Sequence, residues 1–230
     1  TGIDYLIIIP FDKQFSELSS LEFIQKILVE KIGCKKLVIG YDHHFGKNRE
    51  GSFEYLKNNS HLFGFEVKEI SAKKIDETKI SSTAIRKYIK DGDIKKANLL
   101  LNYTYFIIGK IVDGEKIGRK IGFPTANIQI EEDYKLIPKN GVYVVRALID
   151  EKEVFGMMNI GTNPTVENTN QKQKLEVNIF DFDQDIYEQN LTVMVYEYIR
   201  GEVKFDGLEA LKAQLAKDKI TTAAILKKYQ

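Results

Sequence analysis

Near residues 101–104 the hydrophobic pattern of the chain changes period, and that change limits the fold more than any other feature. Before it, apolar strands alternate with helices. "DYLIIIPF" (4–11) reads as a buried strand. In "SSLEFIQKILVEKIG" the residues Leu21, Ile24, Ile27, Leu28 and Ile32 recur at helical spacing, with Ser19 or Ser20 as cap and Gly33 as stop. A second buried strand, "KLVIGYD", follows, then the loop "HHFGKNREGS", a helix "SFEYLKNNSHLF" and a strand "FEVKEISAKK". "KISSTAIRKYIKDGDIKKANLLL" reads as one helix and a second short one. This alternation predicts a parallel sheet with helices on its faces. Beyond residue 103 come short runs between turn signals: "YFIIGKIVDG", "GFPTANIQI", "NGVYVVRALID", "KEVFGMMNIG", "LEVNIFDFD" and "NLTVMVYEYIR". They predict an antiparallel barrel or sandwich. A last helix, "GLEALKAQLAKDKITTAAILKKY", carries Leu208, Leu211 and Leu215 at helical spacing. The expectation is two domains, 1–102 and 103–230.

Composition narrows the function classes. Of 230 residues 43% are hydrophobic and 29% charged, enough for cores and a solvated surface. A net charge of +1 gives no basic footprint for nucleic acid or an anionic membrane. The single cysteine, Cys34, forms no intramolecular disulfide and reads as a small buried hydrophobe, which fits a reducing, cytoplasmic setting. Three scattered His and one Cys build no zinc-type cluster. No apolar run reaches the ~20 residues of a spanning helix. Homo-oligomer formation stays open. A chain with no initiator Met, entering almost directly into "YLIIIPF", has the look of a fragment.

The segment "RKIGFPTANIQI" holds the densest chemistry. Thr125 and Asn127 are two apart, so an extended chain turns both to one face and Ala126 to the other. Pro124 favours that extended geometry and Gly122 permits a bend. Two neutral oxygens suit a hard cation such as Mg²⁺ shared with nucleotide phosphates. The alternative is a turn whose Thr and Asn satisfy local backbone groups. Upstream, "GEKIGRKIGFP" is a Gly-rich flap with Lys116, Gly118, Arg119 and Lys120, able to fold over phosphates, or else a hairpin turn with solvated charges. In "KLEVNIFDF", Glu176 and Asn178 share the face opposite Leu175, Val177 and Ile179. Glu176 is therefore either a carboxylate base or an exposed strand glutamate. Ser81, Ser82 and Thr83 open a helix, with Arg86 one turn on; that is a phosphate cradle or an ordinary N-cap. Asp42 ends the strand "KLVIG", where open α/β sheets bind ligands. His43 and His44 read as loop or edge residues.

"GKIVDGEKIGRKIGFPTANI", "GVYVV", "GMMNIGTNPTV", "LEVNIFDFDQDIYEQNLTV" and "YIRGEVKFDGLEALKAQLAKD", in that order, resemble riboflavin kinase. "VIGYDHHFGKNREGS" and "ISSTAIRKYI" resemble the adenylyltransferase half of the bifunctional bacterial riboflavin kinase/FMN adenylyltransferase (FAD synthetase) family. The resemblance covers essentially the whole chain. It implies a Rossmann-like nucleotidyltransferase domain followed by a riboflavin kinase β-barrel with a C-terminal helix. It implies riboflavin, FMN and ATP as substrates, Mg²⁺ on Thr125 and Asn127, and Glu176 as base for the ribityl 5′-hydroxyl. An apolar slot for flavin rings could draw on Met157, Met158, Phe205 and Leu208 with Asn159 and Arg200 as polar groups, the Met residues being otherwise plain core, and the resemblance suggests that Asp42 helps hold flavin or nucleotide.

One departure is large. The family's Gly-x-Phe-Asp-Gly-x-His-x-Gly-His motif, which binds ATP phosphates, is absent from these residues. The polypeptide as written is expected to adenylylate FMN weakly, and a complete gene product is expected to carry the segment. Smaller departures are His43, where the family usually has Phe, and Asn178, where it often has His; Asn178 is therefore not expected to be catalytic. A flavin-binding module with decayed catalysis is the second reading, which intact Thr125, Asn127 and Glu176 oppose. A nucleic-acid-binding barrel is the third, which the charge balance opposes.

Overall fold

A computed structural model describes residues 2–71, 74–75, 78–114, 117–149, 152–162, 173–182 and 184–229. The chain divides into two compact units, Thr1–Lys79 and Ile80–Gln230.

In the first unit a short helix α1 (Lys13–Ser16) precedes α2, which begins at Ser20–Glu22 and continues over Phe23–Lys31 with π-type winding. Ser19 and Glu22 close a reciprocal capping box at its start. Strand β1 (Lys36–Gly40), helix α3 (Phe53–Phe63) and strand β2 (Glu66–Ile70) follow. β1 and β2 pair in parallel, Lys36 opposite Glu66 through Gly40 opposite Ile70. Ile24, Leu28, Ile39, Leu56 and Phe65 form the core, and Cys34 packs against it half-buried. A hairpin, β3 (Lys74–Ile75) and β4 (Thr78–Lys79), ends the unit.

The expected first strand is not formed. Among the described residues nothing pairs with 4–11 in a ladder, and Tyr5, Leu6, Ile8 and Phe11 are more than 70% exposed. An apolar run becomes a buried strand only when a neighbour takes its hydrogen bonds and both faces are covered. Pro10 removes a further ladder donor.

The second unit opens with α4 (Ser82–Asp91) and α5 (Ile94–Leu101), each ended by a left-handed residue, Gly92 and Asn102. Six antiparallel strands then close a barrel: β5 (Phe106–Val112), β6 (Ala126–Gln129), β7 (Gly141–Ile149), β8 (Lys152–Thr162), β9 (Gln173–Ile179) and β10 (Asn190–Arg200). Their order is β10-β5-β6-β9-β8-β7. Closure leaves no edge unpaired. Between β5 and β6 lies one turn of helix, α6 (Ile117–Lys120), and after β10 comes the long α7 (Leu208–Leu226). Alternation along each strand sorts the residues. Ile107, Tyr143, Val145, Met158, Val177 and Val193 fill the interior, fully buried. Ile89, Ile94 and Ala97 of α4 and α5 belong to that same core. On the outer face Val144 and Tyr196 meet Leu226 of α7.

Candidate active site

The site is built by strand register. β6 sets Asn127 opposite Glu176 of β9, and β9 sets Glu176 opposite Asn159 of β8. β7 continues the row with Val142, opposite Asn159, and β10 with Arg200, opposite Val142. Directly opposed residues of antiparallel strands share a face. Leu175, Val177 and Ile179 are turned into the barrel, so Glu176 and its neighbours in the row stand on the outside. A strip of amides and a carboxylate thus crosses the outer wall.

A cavity of about 320 Å³ lies over that strip. Its polar side is Asn159, Glu176, Asn178, Arg200 and Glu202, and its apolar side is Val142, Met157, Val203, Phe205, Leu211 and Leu215. Gly118, Ile121, Phe123 and Thr125 of the β5–β6 connection form another wall. A second cavity, of about 460 Å³, opens at the mouth of the barrel and is bordered by Ile111, Arg119, Pro124, Thr125, Phe182 and Tyr187 among others. Thr125 borders both cavities.

The β5–β6 connection is folded tightly enough to explain its glycines. Phe123 N–H donates to the Gly118 carbonyl at 2.9 Å, and Gly122 takes φ +84°, the left-handed region. At Gly114 a Cβ would overlap the Asn127 side-chain amide, so any larger residue there must displace that amide. Asn178, 6% exposed, donates from Nδ2 to the Pro124 carbonyl at 2.6 Å and ties this connection to β9.

Arg200 borders the cavity, yet its donors are engaged inside the protein. Nε and Nη2 grip Asp218 of α7 at 3.0 and 2.6 Å, and Nη1 donates to the Gly201 carbonyl at 2.9 Å. Asp218 is 2% exposed and also accepts from Gln214 at 2.9 Å. Glu202 accepts from Asn140 Nδ2 at 2.9 Å, and Gln173 donates to Asn140 and to the Pro138 carbonyl. The far wall of the cavity is therefore braced by polar contacts.

Of the residues singled out in the sequence, Gly118, Thr125, Met157, Asn159, Glu176, Arg200 and Phe205 line one cavity, with Arg119 and Pro124 at the barrel mouth beside it. Asn127 lies beside Glu176 along the strip. Met158 faces the barrel interior, 0% exposed, because it alternates with Met157. Leu208 is 52% exposed; Leu211 and Leu215 supply the apolar surface from α7. Lys120 and Gly122 are exposed on the connection, and Lys116 lies outside the described residues, as do residues 163–166 of the motif "GTNPTV". Ser81 caps α4 by accepting from Ala84 N–H at 3.2 Å, while Ser82, Thr83 and Arg86 are exposed. In the first unit Asp42, His43 and His44 are exposed after β1. Beside them runs a row of rings not foreseen from sequence, with Phe11–Phe15, Phe15–Phe23, Phe23–Phe45 and His43–Phe45 centroids 5.4–6.4 Å apart.

The family profile described as riboflavin kinase matches residues 101–226, which contain the whole strip, and that described as FAD synthetase matches residues 1–84. A bifunctional riboflavin kinase/FMN adenylyltransferase of Listeria monocytogenes is 40% identical over 230 residues, all of this chain and 72% of the relative. The chain belongs to the bifunctional riboflavin kinase/FMN adenylyltransferase family. Its namesake in Haemophilus influenzae is 40% identical over 223 residues, 96% of this chain and 71% of the relative. A Streptococcus pneumoniae crystal structure described as a macrolide-efflux protein superposes with a TM-score of 0.84 at 36% identity, over 93% of this chain and 67% of that one. Among the described residues no helix is long and apolar enough to cross a membrane. Within this family the Rossmann-like half is the first unit, and the barrel with its C-terminal helix is the kinase fold.

Proposed function

We propose that this chain phosphorylates riboflavin with ATP, giving FMN and ADP, and that as a member of a bifunctional family its first unit serves the adenylylation of FMN to FAD. The observation that carries the kinase reading is the register Asn127–Glu176–Asn159, of which Glu176 and Asn159 border a cavity with a largely apolar side. A flat, largely apolar ring system needs such a slot with a few polar groups at its rim. Glu176 reaches that slot, and a carboxylate there can accept the proton of a substrate hydroxyl as its oxygen bonds to phosphorus. The nucleotide is read into the barrel mouth, under Arg119, with its terminal phosphate at Thr125, where the two cavities meet.

The donors fit magnesium. Thr125 and Asn127 offer neutral oxygens beside the carboxylate of Glu176, a hard-donor set suited to Mg²⁺ held jointly with phosphate. When bound, the ion neutralises charge that develops on the transferred group. Asn159 and Glu202 orient the polar rim of the flavin, while Leu211 and Leu215 exclude water above its ring. Gly118, Lys120 and Gly122 of the β5–β6 connection lie over the phosphates. In the first unit, Asp42 and the aromatic row through Phe45 support flavin or nucleotide binding at the end of β1. Ser81, Ser82, Thr83 and Arg86 are read as phosphate contacts at the start of α4. The protein is read as cytoplasmic.

Incubation with riboflavin, ATP and Mg²⁺, followed by chromatographic separation of FMN and FAD, tests the reading. FMN formation that stops on chelation of Mg²⁺ is the expected result, and FAD in the same trace reads the second activity. Absence of FMN at saturating substrates overturns the kinase reading.

A further inference from the structure

We propose that Asn178 is a positioning residue for the phosphate side of the site, acting through the backbone of Pro124. The inference rests on the kinase reading above and names how its two halves are kept in register. Asn178 and Glu176 are two apart on β9 and both border the flavin-side cavity. Asn178 is nevertheless 6% exposed, and its amide donates at 2.6 Å to the carbonyl of Pro124, 54 residues away in sequence. That carbonyl belongs to the peptide plane joining Pro124 to Thr125. Because the plane is rigid, holding its oxygen fixes the direction in which Thr125 leaves it. Thr125 is the residue common to both cavities, and Asn127 follows two residues on, in register with Glu176. The ladder from β6 to β9 begins only at Ala126 opposite Val177. Upstream of it the hydrogen bond from Asn178 extends that pairing by side chain. It holds Thr125 against the strand that carries the base.

The bond also anchors the end of the β5–β6 connection that leads into β6. Residues 118–123 are closed on themselves by Phe123 N–H to the Gly118 carbonyl, and Pro124 joins that closed turn to β6. Loss of the donor removes that tie and leaves the flavin walls at Val142, Phe205, Leu211 and Leu215 in place, although Asn178 itself also borders the flavin-side cavity. The defect should therefore fall more heavily on the nucleotide than on riboflavin. A donor other than an amide serves equally, since what matters is one N–H aimed at one carbonyl.

The test compares Asn178→Leu, which keeps bulk and loses the donor, with Asn178→His, which restores an N–H. Calorimetric affinity for Mg·ADP, KM for ATP and for riboflavin, kcat and thermal midpoint are measured for each. The expected result is a loss of Mg·ADP affinity and a rise in KM for ATP on the order of 10-fold for the Leu variant, with a clearly smaller rise in KM for riboflavin, whose cavity Asn178 also borders, and His recovering most of the loss. Unchanged Mg·ADP affinity in the Leu variant overturns the proposal. So do equal rises in both KM values, or a loss that follows the melting temperature in both variants, because these mark a merely structural residue. If the Leu chain does not fold, Asn178→Ala carries the same comparison. A wild-type chain that binds Mg·ADP but makes no FMN would sink the kinase reading alone, since the affinity comparison needs no turnover.

Discussion

Individual residues on the strip have separable jobs. Glu176→Gln removes the proton acceptor but keeps shape and polarity. Riboflavin affinity should hold while kcat falls by roughly 10²-fold or more, read by steady-state FMN formation. Retained turnover would remove Glu176 as base. Asn127→Ala instead takes an oxygen from the proposed metal side, and should raise the Mg²⁺ needed for half-maximal rate with little effect on riboflavin binding. A magnesium titration identical to wild type would contradict that role. Spacing shows which face these two residues take, because a period of two fixes which side chains share a face, while the roles proposed for them come from the family resemblance. Three others were not legible from spacing. Asp218 is a buried acid on a polar helix, invisible until Arg200 is seen to reach it. Glu202 lies in a loop, and loops have no period. Asn178 is not expected from sequence to be catalytic, and its hydrogen bond to a carbonyl 54 positions away is something no local pattern can report.

At the scale of elements, alternation and capping signals fared best where a segment carries its own partners. Ser19 and Glu22 cap α2 reciprocally, Ser19 N–H donating to Glu22 Oε2 at 3.1 Å and Glu22 N–H to Ser19 Oγ at 3.2 Å. Lys26 donates to the same carboxylate at 2.9 Å. The hydrogen bond from Lys26, then those involving Ser19, lower the Glu22 pKa to about 2. A depressed carboxylate pKa stabilises the fold at pH above its unfolded value near 4.5, and that contribution is lost as pH falls towards 2. Ser19→Ala should lower stability by about 1 kcal/mol in denaturant melts at neutral pH, and should flatten the acid limb between pH 4.5 and 2. An unchanged acid limb would show that the box does not hold the helix. The run at 4–11 is the contrary case. Its apolar character was plain, but a strand needs a second strand, and the residues described offer it none.

For the whole molecule, the change of hydrophobic period marks where strands begin, which is a different place from where a compact unit begins. The barrel's strands start at Phe106, while the unit that contains them starts at Ile80. The reason is packing. Ile89, Ile94 and Ala97 of α4 and α5 are at most 3% exposed within the barrel's own core, and Asn98 donates to the Val195 carbonyl at 2.9 Å while accepting from Tyr105 N–H at 2.8 Å. A helix pair that reads as the tail of an α/β alternation is thus built into the β unit. Each fully buried aliphatic side chain contributes about 1.5–3 kcal/mol, so losing Ile89 and Ile94 together costs a sizeable share of a domain stability of about 5–15 kcal/mol. A chain of residues 80–230 should therefore unfold in one cooperative transition, whereas one of residues 103–230 should melt well below it and bind a hydrophobic dye through its uncovered wall. Equal melting temperatures for the two would mean that α4 and α5 merely rest on the barrel, and that the change of period is the true edge of the kinase fold.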